Sequence, residues 1–187
     1  AQNFPAAAAA FRKAADQGKP DAQFNLGLMY LSGEGVPQNY AEAKALFEKA
    51  AAQNNVRAQV NLARMYAKAK GVAPSYGMAV YWFDKAAALG YADAQYSLGV
   101  LYVSGIGVSR DYDKAHDLFS KAAQQKNASA QYQLGLMYFK GKGVAVDKIA
   151  AMKWFILAGD YDDAVTYRKY AESQMSPKEI EEAKAEA

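Results

Sequence analysis

The sequence predicts an all-α protein, a solenoid of stacked antiparallel helix pairs, and three observations support this. One 36-residue pattern occurs four times between Asp21 and about Gly159. Each copy contains two segments whose apolar residues recur with the period of an α-helix. Glycines separate the two segments in every copy. A single helix pair cannot bury its own apolar face, so neighbouring copies must stack to form a continuous core.

The first segment of each copy predicts a helix, which we call helix A. In the copy that begins at Asp21, apolar residues stand at Ala22, Leu26, Met29 and Tyr30. These offsets of 0, 4, 7 and 8 place them on one face of a helix with 3.6 residues per turn. The positions shared by all copies are Ala22/Ala58/Ala94/Ala130, Leu26/Leu62/Leu98/Leu134 and Tyr30/Tyr66/Tyr102/Tyr138.

The second segment predicts helix B, from about Tyr40 to Ala52 in the first copy. Glycine accepts the left-handed backbone that ends a helix, so Gly33 and Gly35 predict the end of helix A. The apolar residues of helix B follow offsets of 0, 3, 4, 7 and 8, at Ala43, Leu46, Phe47, Ala50 and Ala51.

Small residues within the helices predict close packing. Gly27, Gly99 and Gly135 stand in the middle of helix A, with Ala63 in the second copy. Glycine there costs up to about 1 kcal/mol relative to alanine. We therefore expect a large side chain of a neighbouring helix to lie against each of these positions.

The whole chain is predicted to be one array. Residues 1–20 contain helix B of a partial repeat, because Phe11 and Ala14 lie 36 residues before Phe47 and Ala50. Four repeats follow, at 21–56, 57–92, 93–128 and 129–163. Residues 164–187 are predicted to form capping helices, the last of which starts with a sequence typical of a capping box at 176–179.

These residues resemble a known family. Ala94 to Val108 reads Ala-x-x-x-Leu-Gly-x-x-Tyr-x-x-Gly-x-Gly-Val, and Lys114 to Ala123 reads Lys-Ala-x-x-x-Phe-x-Lys-Ala-Ala. Both patterns closely resemble the Sel1-like repeat of bacterial proteins, a relative of the tetratricopeptide repeat. The resemblance covers all four copies and implies a right-handed superhelix. The second copy departs from the pattern, with Ala63 and Ala69 at two glycine positions.

Composition excludes several classes of function. The chain has no cysteine, so it has neither disulfides nor thiolate chemistry. A formal net charge of +3 is too small to indicate nucleic-acid binding. No apolar run is long enough to cross a bilayer, so we expect no direct membrane insertion.

The residues for catalysis or cofactor binding are also missing. His116 is the only histidine. A histidine relay or a histidine-based metal cluster would need a second one, so we expect neither. The glycine loops lack the Gly-Lys-Ser/Thr ending of a phosphate-binding loop. We therefore predict a protein that is not an enzyme, with no catalytic residue, cofactor or metal.

The remaining candidate site is a surface on the A helices. Similarity to tetratricopeptide-type pairs implies that helix A lines the concave groove. Positions that face this groove but vary between copies can encode a partner. The candidate binding residues are these groove positions and two lysines at the edge of the groove, Lys68 and Lys140. Together they are Phe24, Leu28, Leu31, Val60, Arg64, Lys68, Tyr96, Val100, Val103, Tyr132, Leu136, Phe139 and Lys140. The alternative is that several of these side chains pack between adjacent A helices.

An apolar, aromatic groove with basic residues at its edge is suited to an extended peptide or a partner helix with apolar anchors and acidic residues. We therefore predict a non-enzymatic scaffold that binds a protein or peptide partner. Two alternatives stay open: a cell-envelope enzyme or small-ligand receptor acting on cell-wall material, and an immunity protein against a secreted toxin. Self-association through the same apolar surface is a third possibility.

The expected location is the periplasm or the exterior of the cell, with the cytoplasm as the alternative. The chain starts at Ala1 and Gln2 without methionine, as after removal of a signal peptide or trimming.

Overall fold

A computed structural model describes residues 3–187, apart from the side chain of Asp162. Within this range the chain forms eleven α-helices and no β-strand. The all-α fold class predicted from the sequence is therefore confirmed. The described residues fall into two compact units, one that ends at Leu89 and one that begins at Gly90.

The first unit contains five helices, each of which packs on the next. They are α1 (Phe4–Asp16), α2 (Pro20–Ser32), α3 (Tyr40–Ala52), α4 (Val56–Ala67) and α5 (Tyr76–Ala88). Helices α2 and α4 are A helices, and α1, α3 and α5 are B helices. The predicted partial repeat at the start of the chain therefore contains a complete helix B.

The second unit contains six helices. They are α6 (Ala92–Ser104), α7 (Tyr112–Gln124), α8 (Ala128–Lys140), α9 (Lys148–Leu157), α10 (Asp162–Glu172) and α11 (Pro177–Glu186). Two helix pairs, α6 with α7 and α8 with α9, repeat the arrangement of the first unit, and both α10 and α11 pack on α9.

Short polar side chains fix the starts of most helices. At α4, for example, Asn55 Oδ1 accepts a hydrogen bond from the backbone N–H of Ala58 at 3.0 Å. Such a cap satisfies one of the four backbone donors that a helix leaves unpaired at its start. The same arrangement occurs at Asn3, Asn39, Ser75, Asp111, Asn127 and Asp147.

Helix α4 ends differently from the other A helices. Helices α2, α6 and α8 end at a left-handed glycine, Gly33 with φ of 82° in the case of α2. Helix α4 ends at Ala67, and Ala69 adopts a φ of 52° in the turn that follows. A left-handed alanine costs about 1–2 kcal/mol because its Cβ approaches the next carbonyl oxygen. The altered sequence of the second copy thus changes the turn.

The mid-helix glycines allow the phenylalanines of the B helices to approach closely, as predicted. A Cβ built on Gly27, Gly99 or Gly135 would lie 2.7, 2.6 or 2.4 Å from the Cε1 atom of Phe47, Phe119 or Phe155. Those three rings have no exposed surface. In the second copy, where Ala63 replaces glycine, the equivalent Phe83 is 5% exposed. The methyl group of Ala63 thus coincides with a Phe83 ring that is slightly less buried than the rings of the other three copies.

A glutamine follows the shared alanine in every A helix and is buried. These are the four buried polar residues of the core, Gln23, Gln59, Gln95 and Gln131. The side chain of Gln23 donates to the carbonyl oxygen of Ala15 at 3.4 Å, and its Oε1 accepts from Gln53 Nε2 at 2.9 Å. Gln125 makes the same contact with Gln95 at 2.9 Å. The bond to Ala15 ties the start of helix A to the B helix of the preceding repeat, and the bonds from Gln53 and Gln125 tie it to the end of the B helix in its own repeat.

The second copy lacks one of these bonds. Leu89 stands 36 residues after Gln53 and 36 before Gln125, so no side-chain amide is available there. Within the described part of the chain, Gln59 Oε1 is buried and has no hydrogen-bond donor. Leu89 itself is 53% exposed. One substitution has thus produced both a buried acceptor without a donor and an exposed apolar side chain.

The C-terminal helices cover the last repeat. Ala164, Ala171 and Ala183 are fully buried in a cluster with Phe155. Helix α11 begins with the predicted capping box: Glu179 N–H donates to Ser176 Oγ, and Ser176 N–H donates to Glu179 Oε2 at 2.7 Å. The hydrogen bonds that Ser176 N–H and the Ser176 hydroxyl donate to Glu179 Oε2 lower the pKa of the Glu179 carboxyl.

Candidate partner-binding surface

The predicted groove residues divide into three classes by burial. Those with exposed side chains are Arg64, Lys68, Val100 and Lys140. Those that are half-buried are Leu28, Leu31, Tyr96, Val103, Leu136 and Phe139. Phe24, Val60 and Tyr132 are buried, with 5, 3 and 7% of their surface exposed.

The buried three require a correction, because they do not line an open surface. The Phe24 ring lies 5.9 Å from the Phe47 ring, and the Arg57 guanidinium carbon lies 4.6 Å from the centre of Phe24. The ring of Tyr132 packs on those of Tyr161 and Phe155. In these three repeats the position two residues after the shared alanine therefore belongs to the core, as the packing alternative allowed, whereas Tyr96 at the same position of the third repeat is half-buried.

In the first unit, a basic cluster surrounds a small cavity. This cavity of about 130 Å³ is lined by Leu31 of α2 and by residues at the end of α4 and in the following turn, which we call the unit 1 patch: Leu31, Asn61, Arg64, Met65, Lys68 and Lys70. Leu31 and Met65 provide an apolar floor, and the cationic side chains form the rim. The patch therefore suits an apolar side chain flanked by carboxylates.

The second unit repeats this arrangement 72 residues later. A cavity of about 60 Å³ is lined by the unit 2 patch: Val103, Tyr112, Gln133, Leu136, Met137, Lys140 and Lys142. The Lys142 ammonium lies 5.9 Å from the centre of the Tyr112 ring, and that of Lys140 lies 5.2 Å from the centre of Tyr167. Both lysines thus rest on aromatic rings while their charges stay at the surface.

The sequence reasoning missed Lys70 and Lys142, which complete the two rims. They lie two residues after Lys68 and Lys140, in the turn between helices A and B. A repeat comparison of turn residues would have found them, because the equivalent positions in the first and third copies are Glu34 and Ile106.

The only histidine packs within its own unit. His116 Nε2 lies 3.3 Å from the Tyr138 hydroxyl, and the two rings meet edge to face at 5.7 Å. Among the described side chains, those of residues 3–161 and 163–187, no group of three or more His, Cys, Asp or Glu is arranged to hold a metal ion.

Two tyrosines of the second unit have raised pKa values. Burial, together with the charge of Asp163 and the neighbouring Tyr167, raises the pKa of Tyr132 to about 12. Burial also raises the pKa of Tyr96. Both shifts favour the neutral phenol and thus disfavour acid–base chemistry near neutral pH.

A helix that crosses a bilayer must be long and predominantly apolar. None of the helices in the described part of the chain meets both conditions.

Comparison with known protein families identifies the repeats. The Sel1 repeat model matches residues 2–19, 20–55, 56–91, 92–127 and 128–160, which together make up most of the chain. No curated protein sequence matches the chain.

Solved structures show the same repeat. A Sel1 repeat protein from Oxalobacter formigenes is 38% identical with a TM-score of 0.82, over 90% of this chain and 50% of its own. The Escherichia coli protein c5321, a protective antigen of uropathogenic strains with an SLR fold, is 25% identical with a TM-score of 0.57, over 98% of this chain and 55% of its own. The chain therefore spans about half the length of these two bacterial proteins.

Proposed function

This chain belongs to the Sel1 repeat family, and we propose that it is a non-enzymatic scaffold that binds a protein or peptide partner on its A helices. Proteins built from this repeat generally mediate interactions between proteins. The observation that supports the proposal for this chain is the recurrence of the same cavity, with an apolar floor and a basic rim, in both units.

The size of the cavities favours side-chain anchors over a small ligand. Pockets for small molecules usually measure about 300–1,000 Å³. The two cavities measure only about 130 and 60 Å³. Each is large enough for part of one apolar side chain. The proposed partner is therefore a peptide segment with apolar anchors and acidic residues. The unit 1 patch and the unit 2 patch each bind such a segment separately.

Arg64 provides the direct test of this proposal. The position is Leu28, Val100 and Leu136 in the other copies, so the repeat does not require an arginine there. We expect Arg64→Glu to reduce the capture of acidic partner proteins from a lysate of the source organism at least tenfold, with a nearly unchanged melting temperature. Affinity capture followed by quantitative mass spectrometry measures the first effect.

Two control variants separate binding from folding. Lys49→Glu makes a similar charge change on a B helix and should leave capture unchanged. Leu98→Ala opens a cavity in the core and should cost about 2 to 5 kcal/mol of stability. Equal capture by wild type and Arg64→Glu would contradict the proposed binding surface, and so would unfolding of Arg64→Glu.

The proposed location is the periplasm or the exterior of the cell, with the cytoplasm as the alternative. Fractionation of the source organism, with an antibody against this chain, decides between them.

A further inference from the structure

The end of helix α4 concentrates positive charge around a single cavity. Arg64 of α4, together with Lys68 and Lys70 just beyond it, lines the cavity of about 130 Å³ in the unit 1 patch. All three side chains are exposed, and none of the described residues that line this cavity is acidic. Three cationic groups therefore surround a space that is large enough for part of one side chain.

The repeat does not require these charges. The equivalents of Arg64 are Leu28, Val100 and Leu136, those of Lys68 are Ser32, Ser104 and Lys140, and those of Lys70 are Glu34, Ile106 and Lys142. Only the second copy carries a cation at all three positions. Arg64 and Lys68 also stand four residues apart on one helix, a spacing at which like charges lower helix stability. A bound anion would relieve this repulsion.

The dipole of α4 does not account for the whole cluster. A cation is stabilised by the dipole within the last turn of a helix, which is where Arg64 stands. Lys70 lies three residues beyond Ala67, the last residue of α4, and its equivalent in the first copy is Glu34. The charge of Lys70 is therefore better explained by a ligand than by the helix.

The unit 2 patch has a less charged version of the same cavity. Its two lysines rest on aromatic rings, with their ammonium groups 5.9 and 5.2 Å from the ring centres of Tyr112 and Tyr167. No aromatic ring is among the described residues that line the unit 1 cavity. Within residues 3–187 neither Lys68 nor Lys70 has an ion pair or a ring contact. The unit 1 patch thus suits a ligand with more negative charge than the unit 2 patch does.

We propose that the unit 1 patch binds a phosphorylated side chain of the partner peptide, beside an apolar anchor that enters the cavity over Leu31 and Met65. The phosphate site rests on the proposed function, in which the same patch binds a peptide, and it names the anionic group. A phosphate ester carries a charge of about −1.5 to −2 at pH 7 and three acceptor oxygens. A carboxylate has one charge and two oxygens, so it matches three cations less well. Arginine also binds phosphate through two parallel hydrogen bonds.

The rest of the lining favours a peptide over other phosphate-containing ligands. Asn61 Nδ2 donates to the carbonyl oxygen of Arg57 at 2.9 Å, so Asn61 offers its Oδ1 as an acceptor for a peptide N–H. Inorganic phosphate has no apolar group to place on Leu31 and Met65, and the cavity is too small for an acyl chain. Side chains two residues apart in an extended peptide point to the same face. The apolar anchor and the phosphorylated residue are therefore expected at this spacing.

Peptide pools test the phosphate site without knowledge of the partner. Each pool contains fluorescein-labelled nine-residue peptides with one fixed leucine and degenerate flanks. The residue two positions after the leucine is phosphoserine in the first pool, glutamate in the second and serine in the third. The immobilised full chain should retain the phosphoserine pool at least tenfold more strongly than the glutamate pool. A phosphoserine pool with glycine in place of the leucine should be retained more weakly.

Substitutions taken from the other copies locate the site. Arg64→Leu, Lys68→Ser and Lys70→Ile each introduce a residue that another copy carries at the same position. The triple variant should lower the retention of the phosphoserine pool at least tenfold. Lys140→Ser with Lys142→Ile makes two of these changes in the unit 2 patch and should leave the preference for phosphoserine over glutamate unchanged. Melting curves check that both variants fold; if the triple variant unfolds, Lys70→Ile alone takes its place.

The possible contrary results separate the phosphate site from the proposed function. Equal retention of the phosphoserine and glutamate pools, both lost in the triple variant, would overturn the phosphate site and leave the peptide-binding surface in place. Retention of the phosphoserine pool that the triple variant does not change would exclude the unit 1 patch. Retention of none of the three pools would contradict the proposed function as well.

Two further results would change the ligand. Equal retention of the leucine and glycine pools would show that a phosphate group alone is bound, without an apolar anchor. Sedimentation of the chain with phosphatidylglycerol vesicles, if the triple variant abolished it, would make a lipid headgroup the ligand in place of a peptide.

Discussion

At the scale of single residues, Leu89 occupies the position from which Gln53 and Gln125 donate to a buried glutamine in their own repeats, and Gln59 Oε1 has no donor. We predict that Leu89→Gln raises the free energy of unfolding by about 1 kcal/mol, because the new amide can donate to Gln59 Oε1 as Gln53 donates to Gln23. Urea denaturation followed by circular dichroism measures the change.

The reverse substitution is the matched control. Gln53→Leu removes the donor to Gln23 and should lower stability by about 1–3 kcal/mol, the cost of a buried acceptor without a donor. If both variants had the same stability as the wild type, the glutamine bonds would contribute nothing, and the repeated glutamine would need another explanation.

Tyr132 predicts a loss of stability in alkaline solution. A tyrosine in the unfolded chain ionises near pH 10, whereas the pKa of Tyr132 is raised to about 12 in the fold. Its contribution is therefore complete below pH 10 and is lost as the pH rises from 10 to 12. Over this interval the urea midpoint should fall less in Tyr132→Phe than in the wild type. Tyr170→Phe, at an exposed site, controls for the loss of a hydroxyl group.

The sequence predicted the apolar core at this scale but missed its polar part. The shared Ala, Leu and Phe positions could be assigned from helical periodicity alone. The glutamines were overlooked because a polar side chain is ordinarily expected at the surface. Their identity in all four copies was the available signal, since a surface position has no structural reason to stay the same.

At the scale of helices, replacing a glycine by alanine should change the stability in opposite directions at two kinds of site. One is the middle of an A helix, and the other is Gly77 of α5. We predict that Gly99→Ala destabilises the protein by about 1–3 kcal/mol, because its Cβ would lie 2.6 Å from the buried Phe119 ring. Gly77→Ala, with no atom within 4 Å of the new Cβ, should stabilise it by up to about 1 kcal/mol.

Thermal melts of the two variants beside the wild type provide the measurement. A Gly99→Ala protein as stable as the wild type would show that Phe119 can move aside, as the less buried ring of Phe83 beside Ala63 suggests for the second copy.

The helices were predictable because each copy repeats the same periodic positions and the same glycine turn. The site was less predictable, because an A helix has more than one buried face. Helix α2 packs on both α1 and α3. A pattern based on one face therefore assigned Phe24 to the groove, whereas its ring packs on Phe47 under the guanidinium of Arg57. Contacts between neighbouring helices decide which positions stay exposed, and the periodicity of the sequence does not predict these contacts.

At the scale of the whole molecule, each unit is stabilised by stacking of helices that could not bury their apolar faces alone. The stack also explains where binding surfaces arise. Small cavities are left where one A helix meets the next within a unit. In a repeat protein, recognition can therefore develop at positions that the shared core does not use.

We predict that the entire chain unfolds with no dependence on metal ions. The full sequence has one histidine and no cysteine, and the described side chains of residues 3–161 and 163–187 form no cluster of ligands suited to a metal. A structural metal would stabilise the folded state, and its removal would lower the melting temperature. Excess EDTA should therefore leave the melting temperature and the helical far-UV spectrum unchanged, both in the wild type and in the less stable Leu98→Ala variant. A melting temperature that falls with EDTA and recovers on addition of zinc would show that a metal contributes to folding, and the stability of the array could no longer be attributed to its repeated Ala, Leu, Tyr and Phe contacts alone.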